Sequence, residues 1–122
     1  MQQVAIHNLN RSHPTPILAR YCDSFLCRLR GLTFCRNLEA NRGLLLVQER
    51  ESRLDASIHM LFMRMDLAVV WINSQMEVVD VIIAHRWRLA YLPARPARYV
   101  LELATENLDD FKVGERVRFE EA

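Results

Sequence analysis

From Gly43 onward the chain repeats one pattern, in which short runs of β-branched, leucine and aromatic residues are each closed by a polar break. Such runs match the length and composition of strands rather than helices. Gly43-Leu44-Leu45-Leu46-Val47 is one run and Ser57 to Met63 is another. Leu67 to Ile72 meets the polar turn Asn73-Ser74-Gln75, and Val78 to Ile83 resumes after it, which predicts a β-hairpin. Leu89 to Arg98 carries Pro93 and Pro96 and reads as an irregular surface loop leading to Tyr99-Val100-Leu101-Glu102-Leu103. Glu106 to Phe111 reads as one helical turn, and Val113-Gly114-Glu115 turns into a last strand, Val117 to Glu120.

Upstream of Gly43 the signals are mixed. Val4-Ala5-Ile6 reads as a short strand, Asn8 to Pro16 as a turn rich in Asn, Ser, His and Pro, and Ile17 to Tyr21 as a second strand. Ser24 is placed to cap a helix from Phe25 to about Phe34, because Phe25, Leu29 and Leu32 recur at helical spacing. Gly31 falls late in that helix, where it either shortens the helix or permits close packing. The fold class expected is mainly β, a β-rich α+β arrangement. It is a compact curled sheet or small barrel, with one short helix near the N-terminus and a helical turn near the C-terminus, rather than alternating βαβ units.

The bulk properties bound the rest. A chain of 122 residues, 51% hydrophobic and 25% charged, is long enough to enclose one core and lies far from disordered composition, so one domain over residues 1–122 is expected. The net charge of +1 gives no global field for nucleic acid or an anionic membrane. Among the 16 basic residues only Lys112 is lysine, and the arginines are spread along the chain. Cys22, Cys27 and Cys35 match neither a C-x-x-C redox pair nor a zinc knuckle and are read as free thiols. Met1 to Asn10 is too polar and short for a signal peptide, and no apolar stretch of about 18 residues exists for a membrane span. A reducing, cytoplasmic location is therefore expected.

The string Arg28-Leu29-Arg30-Gly31-Leu32-Thr33-Phe34, then Gly43-Leu44-Leu45, then Ile58-His59-Met60-Leu61-Phe62-Met63-Arg64, resembles the domain of unknown function 192 family in order and spacing. Val78-Val79, Trp87-Arg88-Leu89, Tyr99 to Leu103 and Val113 to Val117 continue the resemblance, which covers about Ile17 to Phe119. It implies a compact β-rich fold with a short helix on one side, and it implies no cofactor or established activity. Thr33, Cys35 and Glu106 depart from that family's pattern, and Ala68 stands where the family has its usual carboxylate, with Asp66 two positions away.

Three groups of residues carry possible chemistry. On a strand, His59, Leu61, Met63 and Met65 would share one face, so an imidazole and two thioethers would converge as for a soft ion such as Cu(I). Methionines filling core gaps, with His59 an ordinary sheet residue, is the weightier reading, and no metal or cofactor is assigned. Acid/base work would draw on His59, His85, Asp80, Glu102 and the cysteines, yet no nucleophile elbow, paired-His helix, Walker loop or dinucleotide fingerprint is present. Asp80, between Val79 and Val81, reads as a solvent-facing strand residue rather than a buried acid. Arg86-Trp87-Arg88, with Tyr91, Arg95 and Arg98 beyond, interleaves cations with aromatics as single-strand binders do, but a solvated loop whose Trp87 closes the end of the core weighs more.

Together these readings favour a small non-catalytic binding or accessory domain, its ligand site formed by His59, Met63, Arg64, Trp87 and Glu102. The alternatives are a small enzyme using His59 with Asp66 or Glu102, and single-stranded nucleic-acid binding through Arg86-Trp87-Arg88. The partner expected is an unknown small molecule or protein, with nucleic acid disfavoured, no membrane, and the chain a monomer or small homo-oligomer.

Overall fold

The computed structural model describes residues 2–11 and 15–122, so part of the turn expected over Asn8 to Pro16 lies outside the described residues. Among the described residues seven strands form one sheet: β1 (Gln3–Asn8), β2 (Ile17–Cys22), β3 (Arg42–Ser52), β4 (Leu67–Ile72), β5 (Val78–Ala84), β6 (Ala97–Leu103) and β7 (Val117–Glu121). Their order across the sheet is β5-β4-β6-β3-β2-β1-β7. Every neighbouring pair is antiparallel except β2 and β3, which run parallel through the crossover that carries helix α1 (Phe25–Arg30). One βαβ unit is thus present in a sheet otherwise built from antiparallel neighbours.

The sheet curls until its two edges meet at one end. Glu77 bridges Arg116, the Val78 N–H donates to the Glu115 carbonyl and the Gly114 N–H to the Val78 carbonyl, but the edges do not zip into a closed barrel. All seven strands send side chains to the inner face of the curl, among them Ile6, Ile17, Leu45, Val70, Val78, Leu101 and Val117. The 3-10 helix Thr105–Asp110 and Phe111 cover one end of this core. The outer face of β3, β4 and β6 is buried as well, with Leu44, Leu46, Val69, Trp71 and Val100 packed beneath Leu32, Ala56, Ile58, Met60 and Met63. Burial on both faces explains why β4 reads Leu-Ala-Val-Val-Trp-Ile without alternation, since no position on it meets water.

Three expectations are corrected. Helix α1 ends at Arg30 rather than near Phe34, because Gly31 adopts φ +52 and ψ −130 and its N–H closes on the Cys27 carbonyl at 2.9 Å. Phe25 and Leu29, spaced as an inner helix face, are exposed, and only Leu32 of that set reaches the core. Ser57 to Met63 is not a strand. Ile58 alone pairs with Tyr91, after which the chain turns, with Phe62 at φ +62 and the Met63 N–H on the Met60 carbonyl. Finally, Cys22 and Cys27 are joined by a disulfide, leaving Cys35 as the free thiol. Cys22 ends β2 and Cys27 lies in the first turn of α1, so the reversal at Asp23 and Ser24 brings them to a Cα separation of 5.7 Å.

Candidate functional site

Trp71 fixes the position of everything above the outer face. Its indole N–H donates to the Ala56 carbonyl at 2.8 Å inside the core, pinning the start of the 56–63 segment to β4. From there the segment crosses over β3 and β6 and faces α1. Ser24 Oγ accepts from the Cys27 N–H to cap that helix, and Arg28 donates to the Val47 carbonyl at 3.2 Å, tying the helix to β3.

Between helix, segment and sheet lies a cavity of about 480 Å³. Its walls are apolar, from Leu32, Leu46, Ile58 and Met63, and its mouth is polar and of mixed sign, from Arg28, Arg30, Glu49, Asp55 and His59. Glu102 lines it from β6, and Gly31 lies against the carboxyl: a Cβ on Gly31 would stand 3.4 Å from Glu102 Oε1. The Glu102 side chain is 5% exposed, its Oε1 has no hydrogen-bond partner among the described residues, and burial pushes its pKa up to about 7. Burial thus favours the neutral carboxyl, which can both donate and accept a hydrogen bond, and the side chain is part of the cavity wall.

A second cleft, of about 430 Å³, opens on the other side of Met63 and is lined by Phe34, Phe62, Met63, Arg64, Arg86 and Trp87. Phe62 stands between the other two rings, 5.7 Å from Phe34 and 5.3 Å edge-on to Trp87, centroid to centroid. Trp87 therefore does not close the end of the core. It is 57% exposed, held by its backbone N–H on the Met60 carbonyl.

The five residues expected to form one site are thus divided between two. His59, Met63 and Glu102 line the first cavity; Met63, Arg64 and Trp87 line the second, with Met63 the shared wall. Because the His59 to Met65 run turns instead of extending, Met60 and Met63 are buried in the core while His59 is exposed, and the one-face convergence of His59, Met63 and Met65 does not form. Asp66 does not serve His59 either. It accepts from the Arg86 backbone N–H at 2.9 Å and pairs with His85 Nδ1 at 3.5 Å and Arg86 Nε at 3.2 Å; the Arg86 N–H leads in holding its carboxyl below the ordinary range. Asp80 is half-buried, and its Oδ2 accepts from the Ala94 N–H at 2.9 Å, which anchors the proline-bearing loop. Gly31 is the site residue that the sequence marked only as a helix shortener or a packing allowance, and it does shorten the helix; its signal was a glycine near the end of a helical pattern.

Residues 6–119 match the model of the family DUF192, described as an uncharacterized ACR. A UPF0127 protein of Thermococcus gammatolerans is 48% identical over 80 residues, which are 66% of this chain and 50% of that protein. A UPF0127 protein of Pyrococcus furiosus is 38% identical over 95 residues, 78% of each chain. The chain spans about half the length of the T. gammatolerans and Thermococcus kodakarensis relatives it matches. Among solved structures, a Sinorhizobium meliloti protein described as a candidate transcription regulator superposes with a TM-score of 0.83 at 16% identity, over 97% of this chain and 92% of that one. A protein of unknown function from Novosphingobium aromaticivorans does so with a TM-score of 0.77 at 15% identity, over 95% and 83%. At these identities the two structures speak to fold alone. No helix of the described residues is long and apolar enough to cross a membrane.

Proposed function

The chain belongs to the DUF192 family, and on that footing we propose that it is a binding module whose small ligand enters beneath helix α1 and hydrogen-bonds to Glu102. The observation that supports this reading is the buried, unpartnered Glu102 Oε1 at the cavity wall. A buried polar atom left without a partner costs about 1–3 kcal/mol, and a ligand group that satisfies it recovers that cost on binding. The apolar walls fit a ligand with a hydrocarbon body, and the carboxyl fits an inner hydroxyl, amide or amine.

An acid/base enzyme built on His59 and Glu102 is the second reading, favoured by the fact that both line one cavity, although no hydrogen bond joins them. Location belongs to this proposal too. A cytoplasmic site of action requires the Cys22–Cys27 bond to form against a reducing poise, whereas an oxidising compartment sustains it. Thiol trapping on protein taken directly from cells separates the two.

The test is NMR titration of the labelled protein with small alcohols, amides and amines. Backbone shifts centred on Gly31, Leu46 and His59, lost in Glu102→Leu, are the expected result. Shifts that ignore the substitution, or none with any of the three classes, would overturn the proposal.

A further inference from the structure

The aromatic cleft beyond Met63 has no part in the Glu102 cavity's chemistry. Phe34, Phe62 and Trp87 are 61%, 51% and 57% exposed and Phe62 touches both of the others, so three large rings form one patch facing solvent. Each also sits at positive φ, +69, +62 and +70, a region that bulky side chains rarely enter. Among the described residues only Asn41 and Met76 are the other non-glycine residues at positive φ, so three such backbones converge on one patch. The turns hold the rings outward in place: the Phe34 N–H bonds the Phe62 carbonyl at 3.3 Å and the Trp87 N–H the Met60 carbonyl at 2.6 Å. A patch that served only the core would point its rings inward.

Charge narrows what the patch can hold. Arg64 and Arg86 line the same cleft. Arg86 is fixed at the rim by Asp66 and by donation to the Arg64 carbonyl at 3.3 Å, while the exposed Arg64 side chain makes no hydrogen bond or ion pair among the described residues. Two guanidinium groups against one carboxylate leave the cleft cationic. That excludes the cation-binding use of an aromatic cage, because a cationic guest would face like charge.

We infer that this cleft binds a nucleotide, with the base stacked on the exposed face of Trp87, the edge-on Phe62 bracing that ring, and the phosphate held by Arg64 and Arg86. Flat rings on aromatic faces tolerate any base, and a planar guanidinium meets phosphate oxygens two at a time. A cleft of about 430 Å³ suits one nucleotide rather than an extended strand buried along its length. The nucleotide arrives either free or as an exposed residue of a single strand.

Trp87 supplies the readout, since Trp71, the other tryptophan, is buried in the core. Tryptophan fluorescence is followed at low salt during titration with AMP, with adenosine and with a short oligothymidylate. Saturable quenching by AMP, weaker with adenosine and reduced roughly tenfold in affinity by Arg64→Gln, is the expected result. Arg64 is exposed and untethered, so its replacement leaves the melting temperature unchanged. Tighter binding of the oligonucleotide, with affinity falling linearly against salt on logarithmic axes, identifies a single strand as the source; AMP equal to or tighter than the oligonucleotide identifies a free nucleotide. Adenosine binding as well as AMP, indifference to Arg64→Gln, or no saturable change with any probe would overturn the inference and leave the patch to a protein partner.

Discussion

Gly31 presses its α-carbon toward Glu102, so that a Cβ there would lie 3.4 Å from the carboxyl Oε1, an ordinary contact rather than a clash. What forbids a side chain at Gly31 is the backbone, held at φ +52 and ψ −130 where the helix stops and the chain drops toward the sheet. Gly31→Ala is expected to cost about 1–3 kcal/mol through that conformation. Urea unfolding checks it: the midpoint falls while the slope stays unchanged, since the surface exposed on unfolding is the same.

Glu102 sets a pH dependence of definite sign. Burial raises its folded pKa from 4.5 to about 7, so between those values the unfolded chain gives up the proton while the folded one keeps it. Stability contributed by the neutral carboxyl is complete below about 4.5, declines as pH rises, and is gone above about 7, a total of roughly 3 kcal/mol. Glu115, with Arg11 and Asn8 bonded to its carboxylate, has a lowered pKa and acts in the opposite sense in a more acid window. Comparing the protein with Glu102→Gln isolates the first effect. The variant is expected to lose the decline between pH 5 and 8 in urea unfolding, and to gain on the parent as pH rises.

The strands were legible because burial on both faces writes unbroken apolar runs, and the Leu67 to Ala84 hairpin carries its turn between two of them. The 57–63 segment was misread for the same reason. Ile58, Met60 and Met63 are as apolar as any strand, yet the reversal falls at Phe62, where no glycine announces a positive φ. Glu102 was legible as a strand residue with a candidate role. Its isolation was not, because that depends on Gly31 and the 56–63 segment closing over β6. Trp87 and Arg64 drew notice by composition, but their partner Phe62 lies 25 positions before Trp87, a pairing no local pattern encodes.

Gly43 answers to a different constraint. It pairs with Leu103 across β3 and β6, and a Cβ there would stand 2.5 Å from the Glu102 carbonyl oxygen and 2.6 Å from Leu103 Cδ2. A leucine methyl can swing away, but a backbone carbonyl in the middle of a ladder cannot. Gly43→Ala therefore has to move the two strands apart and is expected to cost about 1–3 kcal/mol. Because Glu102 lies on the displaced strand, the variant also changes the cavity, and the NMR signals of Gly31 and Leu46 shift along with a lowered melting temperature.

The Cys22–Cys27 bond makes the last prediction, one that mass alone can decide. Alkylation of the unfolded protein without reductant labels one thiol, Cys35, and alkylation after reduction labels three. The bond closes a loop of only a few residues between the end of β2 and the first turn of α1, so the entropy it removes from the unfolded chain amounts to about 2 kcal/mol. Cys22 is fully buried beneath the helix that roofs the Glu102 cavity, which ties this loss to the site. Reduction is expected to lower the urea midpoint by that amount and to loosen α1 first, seen as faster amide exchange at Arg28 and Gly31 than in β4. Three labelled thiols before reduction would show that the bridge is absent from the folded protein.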